Sequence, residues 1–140
     1  MHDTFTAKLA TVKKDGSPHV VPIWFVLDSR KNQARKGIGD IVFSTYKDSL
    51  KALNIQRDNR VSICIDDQIP QFSFVTIFGT AIIVPQKYTE LLKSNTRIAE
   101  RYMGKRNAKA YGKRNSTEGV VLVRVKPTKI IAEKDIAEWE

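Results

Sequence analysis

The stretch Asp40–Arg60, DIVFSTYKDSLKALNIQRDNR, decides how this chain is read. Ile41–Thr45 is rich in β-forming residues and stops at a polar turn, so it reads as a strand. Ser49 then stands where a helix N-cap belongs, and a helix is expected over about Ser49–Asp58. Lys51 falls two residues inside that helix, where the positive end of the helix dipole disfavours a cation. A bound anion would reverse this penalty, because free backbone N–H groups and a lysine together make a phosphate seat. Ser44 and Thr45, at the strand's end, carry hydroxyls that could reach the same place. The alternative is a solvated lysine on an ordinary surface helix.

Working outward, the pattern is mostly β. Ala7–Lys13 alternates loosely and ends at Lys14-Asp15-Gly16, an Asp-Gly turn between two strand-like runs and hence a hairpin signal. The return strand, Pro18–Leu27, contains Pro22, which confines it to an edge, a bulge or an irregular strand. Ser29–Gly39 is a polar, basic connection. Arg60–Asp66 and Phe72–Val84 follow as the fourth and fifth strands, with Gly79 marking a bulge or a close backbone approach. Gln86–Met103 is the clearest helix: Tyr88, Leu91, Leu92, Asn95, Ile98, Ala99 and Tyr102 recur at helical spacing and read as core packing. Gly104–Glu118 reads as a basic loop, and Val120–Ile131 as the last strand. Six strands with two interposed helices predict a small, mostly β, antiparallel barrel formed by residues 1–140 as a single domain.

Composition narrows the classes. The chain has 140 residues, 41% apolar and 28% charged, ordinary for a soluble globular protein. No apolar run is long enough to span a membrane, and Met1–Thr6 lacks the order of a signal peptide. One cysteine, Cys64, excludes an internal disulfide, suits a reducing cytoplasm and reads as core filling. Two histidines and that cysteine, far apart, form no metal-ligand pattern. The net charge of +9 attracts nucleic acid, anionic membranes or phosphorylated cofactors, without distinguishing among them. Much of it sits in Arg30–Lys36 and in Gly104–Arg114, both read as loops.

Five segments, in this order, carry a family likeness: LATVKKDGSPHVVPIWFVLD, IVFSTYKDSLKALNIQRDNRVSICIDD, VTIFGTAIIV, IAERYMG and VVLVRVKPTKI. Together they resemble the flavin-binding split β-barrels of the pyridoxamine 5′-phosphate oxidase superfamily, most of all the oxidoreductases that use the deazaflavin coenzyme F420. The likeness runs from about Ala7 to Ile131. It implies a Greek-key split barrel and a homodimer with cofactor sites at the subunit interface. It implies that Val20, Val21, Pro22, Ile23, Trp24 and Phe25 lie along the flavin ring. It places Ser44 and Thr45, with Ser49 beside them, near the ribityl-phosphate, and Lys51 on the phosphate. Lys47, Arg57 and the 105–114 segment are candidates for the anionic tail of F420.

The departures are specific. Flavin mononucleotide (FMN) oxidases of this superfamily usually begin the helix with Arg-Lys, where this chain has Leu50-Lys51. Phe74 stands where they carry a polar residue, and their C-terminal tryptophan–arginine motif has no counterpart. Pyridoxamine 5′-phosphate oxidase activity itself is therefore not expected. The expected function is hydride transfer between a bound flavin-type cofactor, F420 rather than FMN, and a small organic substrate. No catalytic residue is assigned, since the cofactor carries the chemistry; His19, next to the ring-binding strand, could donate a proton. Two other classes stay open. One is a flavin- or haem-binding module without turnover. The other is a nucleic-acid-binding small barrel, which would interleave aromatic and basic residues on one face; here the aromatics cluster in apolar strands and the basic residues in segments read as loops.

Overall fold

The computed structural model describes residues 5–28 and 39–137. The basic segment Arg30–Lys36 therefore lies outside the described residues. Strand β1 (Ala7–Val12) turns back into β2 (Pro18–Ile23) through the expected hairpin. Gly16 takes φ +86°, open to glycine at no steric cost, and its N–H donates to the Lys13 carbonyl at 2.9 Å. The Asp15 carboxylate accepts from the Ser17 backbone N–H at 2.9 Å and closes the turn.

Seven strands form, one more than expected. The run Pro18–Leu27 breaks after Ile23, and β3 (Val26–Asp28) pairs with β4 (Asp40–Tyr46) instead of with β1. Strands β5 (Arg60–Asp67), β6 (Ser73–Val84) and β7 (Val120–Glu133) complete an antiparallel sheet of order β2-β1-β5-β6-β7-β4-β3. The two edge strands, β2 and β3, are consecutive in the chain and joined only by Trp24 and Phe25. Two residues span little distance, so the sheet must curl until its edges approach. That curl is the split barrel. It also explains Pro22: on an edge strand its missing N–H costs no ladder bond.

Alternate residues of the strands fill the interior. Leu9, Ile23, Phe25, Ile41, Phe43, Ile63, Ile77, Val123 and Val125 form one buried cluster. Helix α1 (Leu50–Arg57) adds Ile55 to it. Asn54, fully buried, donates to Thr11 Oγ1 at 3.0 Å, and Arg57 donates to Asn54 Oδ1 at 3.0 Å and to the Val12 carbonyl at 2.7 Å. These bonds pin α1 to β1. Gly79 sits at the register shift between β6 and β7, where a Cβ would lie 2.5 Å from the Lys126 carbonyl oxygen. Cys64 differs from expectation: it is half-buried on the face of β5 opposite the core residues Val61 and Ile63.

Helix α2 (Tyr88–Met103) lies outside the barrel, with Leu91 and Ile98 against Val26, Val42 and Leu122. Residues 105–114, read from sequence as a loop, form a third helix, α3 (Lys105–Arg114). Gly104, at φ +83°, ends α2 and begins α3. Ala108 and Gly112, one turn apart, are buried against α2 while the charged residues face outward. The helix forms because packing on α2 outweighs its poor apolar content. The basic residues of this stretch thus stand on a helix face.

Candidate functional site

Where β2, β4, α1 and α2 meet, a cleft of about 380 Å³ opens, lined by Pro22, Ile23, Trp24, Ser44, Thr45, Tyr46, Lys51, Asn95, Ile98, Asn115 and Val120. Its floor is set by strand geometry. Ser44 and Tyr46 alternate with the buried Thr45 at the end of β4. The helix start is set by capping. Ser49 is extended, and its Oγ accepts from the Ala52 N–H at 3.3 Å. Thr45 Oγ1 lies 2.9 Å from Ser49 Oγ, so the strand end and the cap form one hydroxyl pair.

Lys51 projects from the first turn of α1 into the cleft and makes no ion pair among the described residues. Burial pushes its ammonium below the usual lysine value of 10.5. The first turn carries no acidic residue to offset the charge. A phosphate there would relieve both penalties at once.

The opposite wall is aromatic and apolar. Trp24 stacks on Tyr102 with ring centroids 4.9 Å apart and planes 8° from parallel. Tyr102 OH donates to the Phe5 carbonyl at 2.8 Å and accepts from the Phe25 N–H at 3.3 Å. Its burial raises the phenol above its usual value of 10. Arg101 stacks over Phe25, 4.3 Å from the ring centre.

Asn95 and Asn115 close the far side, and neither was expected there. Asn95 is 2% exposed, and its Nδ2 donates to the Asn115 carbonyl and to Ser116 Oγ, each at 3.0 Å. Ser116 Oγ donates in turn to the Gly112 carbonyl at 2.7 Å. An asparagine in the apolar stripe of α2 was the available signal; Asn115 had none, being in the stretch read as a loop.

Of the other residues expected at the site, Val20 is an exposed residue of the β2 edge, and Val21 packs against the barrel core. Phe25 is buried in that core, and Ser49 acts through the cap. Arg57 is tied to β1 and does not line the cleft. His19, on β2, pairs with Thr11 of β1 and is also outside the lining, with Nδ1 buried and unbonded.

The family model described as pyridoxamine 5′-phosphate oxidase matches residues 2–133. The chain belongs to that family. Solved structures of the family's fold superpose over nearly the whole chain. A conserved hypothetical protein of Mycobacterium tuberculosis is 25% identical, with TM-score 0.77, covering 97% of this chain and 81% of its own. A structure described as an F420 reductase is 23% identical, with TM-score 0.66 and coverage of 93% and 91%. A haem storage protein of Vibrio cholerae is 19% identical, with TM-score 0.65 and coverage of 92% and 86%. No curated protein matches the sequence. Membership of the pyridoxamine 5′-phosphate oxidase family accounts for the barrel. Proteins that share this fold bear different descriptions, so the chemistry must be argued from the cleft. No helix among the described residues is long and apolar enough to cross a membrane.

Proposed function

We propose that the cleft holds a flavin-type cofactor, coenzyme F420 in preference to FMN, and that the protein is an oxidoreductase acting on a small organic substrate. The observation that carries this reading is Lys51: a partly desolvated cation at a helix N-terminus, beside Ser44 and Thr45, in a cleft with an aromatic wall. The residues fit such a group. Lys51 and the hydroxyls of Ser44 and Thr45 offer donors to a phosphate. Ile23, Trp24 and Ile98 exclude water from a ring lying along β2. Asn95 and Asn115 bring amide groups to the polar edge. When bound, a flavin or deazaflavin supplies hydride transfer; the protein binds, orients and shields it.

Cofactor choice rests on charge. Leu50, 45% exposed, offers no second cation beside Lys51. Helix α3 carries five cations and no acidic residue, and its C-terminal end runs into Asn115 at the cleft. Lys113 and Arg114 are thus near a long anionic tail, whereas Lys105 starts the helix about 13 Å away at 1.5 Å per residue. F420 binding should weaken as salt rises, and neutralising Lys113 and Arg114 should weaken it, flatten that salt dependence and leave FMN binding nearly untouched. Neutralising Lys105 and Arg106 should change little. Absorption titrations with F420 and with FMN test the reading directly. Tight, salt-insensitive FMN binding without F420 binding would overturn the preference, and binding of neither would overturn the cofactor reading. A hydride-transfer assay with reduced cofactor and varied acceptors separates an enzyme from a binding module.

The proposed assembly is a homodimer of single-domain chains with the sites between subunits. Val20, Leu50 and Leu53, at 60%, 45% and 46% exposure, border the cleft elements and leave apolar surface for a second copy. Sedimentation should give about twice the chain mass of 15.9 kDa. The lone, half-buried cysteine suits a reducing compartment, and the proposed location is the cytoplasm.

A further inference from the structure

We propose that Tyr102 is the positioning residue that sets the aromatic wall of the cleft. It does so by fixing one face of Trp24 and leaving the other for the ring of a bound ligand. The proposal rests on the cofactor reading above. Trp24 lines the cleft and Tyr102 does not. Tyr102 therefore covers the far side of the indole, 4.9 Å away and nearly parallel.

The arrangement is held from three sides. Tyr102 is anchored on α2, which packs on the barrel through Leu91 and Ile98. Its hydroxyl bonds the backbone on both sides of the wall: it donates to the Phe5 carbonyl and accepts from the N–H of Phe25. Phe25 directly follows Trp24, so the second bond fixes the peptide that aims the indole. Arg101 covers the Phe25 ring and lies 5.5 Å from the centre of Tyr102.

The position of Trp24 in the fold makes such a clamp necessary. Trp24 and Phe25 form the joint at which the chain leaves edge strand β2 and enters β3 at the opposite edge. Neither residue belongs to a ladder, so no strand hydrogen bond orients the indole. Trp24 is 37% exposed, and without its partner it would sample several rotamers. A flat ligand would then have to order the side chain on binding, at a cost in affinity. A stacked wall prepared in advance removes that cost.

The sequence holds two tryptophans, Trp24 and Trp139, so a Trp139→Phe background leaves Trp24 as the reporter. In that background Tyr102→Leu should raise acrylamide quenching of Trp24 about twofold, since a second ring face opens to solvent. It should weaken F420 binding about tenfold, the upper end of what a stacked aromatic pair contributes. Competition by inorganic phosphate, which reads the Lys51 seat, should stay unchanged; a general loosening of the protein would weaken it as well. Tyr102→Phe keeps the ring and should return quenching to the parent level and affinity to within about threefold of it. If Tyr102→Leu does not fold, Tyr102→Met runs the same comparison with a flexible side chain of similar reach.

Unchanged quenching in the folded variant would overturn the clamp. Raised quenching with unchanged F420 affinity would overturn its role in binding. A parent protein that binds neither F420 nor FMN overturns the cofactor reading and the binding half of this proposal with it. The quenching result still decides, separately, whether Tyr102 holds Trp24.

Discussion

Gly112→Ala puts the α2–α3 contact, and through it the cleft, under test. In an exposed helix this change would stabilise by about 1 kcal/mol, because alanine is the better helix former. Gly112 faces α2, however. A Cβ built there would lie 2.8 Å from Thr96 Cα and closer still to Thr96 Oγ1. The hydroxyl is held by its bond to the Leu92 carbonyl at 2.7 Å, and the Cα is backbone, so rotation alone cannot clear the contact. The helices must separate, and overpacking of this kind costs about 1–3 kcal/mol. Separation also strains the Asn95 bonds to Asn115 and Ser116 and the Ser116 bond to Gly112 itself. Losing two such bonds costs about 1 kcal/mol each. Set against the propensity gain, the net loss is about 2–4 kcal/mol. Urea denaturation should show a lower midpoint with little change in slope, and cofactor affinity should fall as Asn95 and Asn115 shift. A variant as stable as the parent, or more stable, would refute the claim that Gly112 is required by close helix packing.

Three further outcomes are expected. Lys51→Ala should weaken cofactor binding by about 1.5–3 kcal/mol, the scale of a charge-assisted hydrogen bond, while stability holds or rises slightly; equal dissociation constants would contradict the phosphate seat. Arg124 bonds Asp28 at 2.8 Å and the buried Asp40 at 3.2 Å, so Arg124→Met should cost about 3–5 kcal/mol in denaturant by leaving carboxylates unpaired, and a neutral result would refute that pairing as structural. Asp58 accepts the Arg60 guanidinium, which lowers its carboxyl from 3.8 to about 2. The unfolded chain therefore binds more protons in that window, and stability contributed above pH 3.8 is lost as pH falls through about 2. Asp58→Asn should flatten this acid limb, and an unaltered slope would exclude the pair.

Much of the barrel was legible in the residues because its signals are local. The Asp15-Gly16 turn, the Ser49 cap, the Gly79 bulge and the strand runs each depend on neighbours a few positions away. The helix-dipole argument at Lys51 was equally local, and the cleft contains that lysine together with Ser44, Thr45 and Trp24. Helix α3 was not legible. Its sequence is charged, contains a glycine and buries only Ala108 and Gly112, so nothing short-range distinguishes it from a loop. Its helicity comes from α2, and Asn115 reaches the cleft only because that packing holds. The break at Trp24–Phe25 was hidden for the same kind of reason. Its residues favour a strand, and only closure of the sheet, which sends consecutive segments to opposite edges, interrupts it. Sequence alone therefore determined the strands, the turns and the cation at a helix start, where the energies are short-range. Tertiary structure decided the seventh strand, the third helix and the far wall of the cleft, because each is stabilised by contacts between segments distant along the chain.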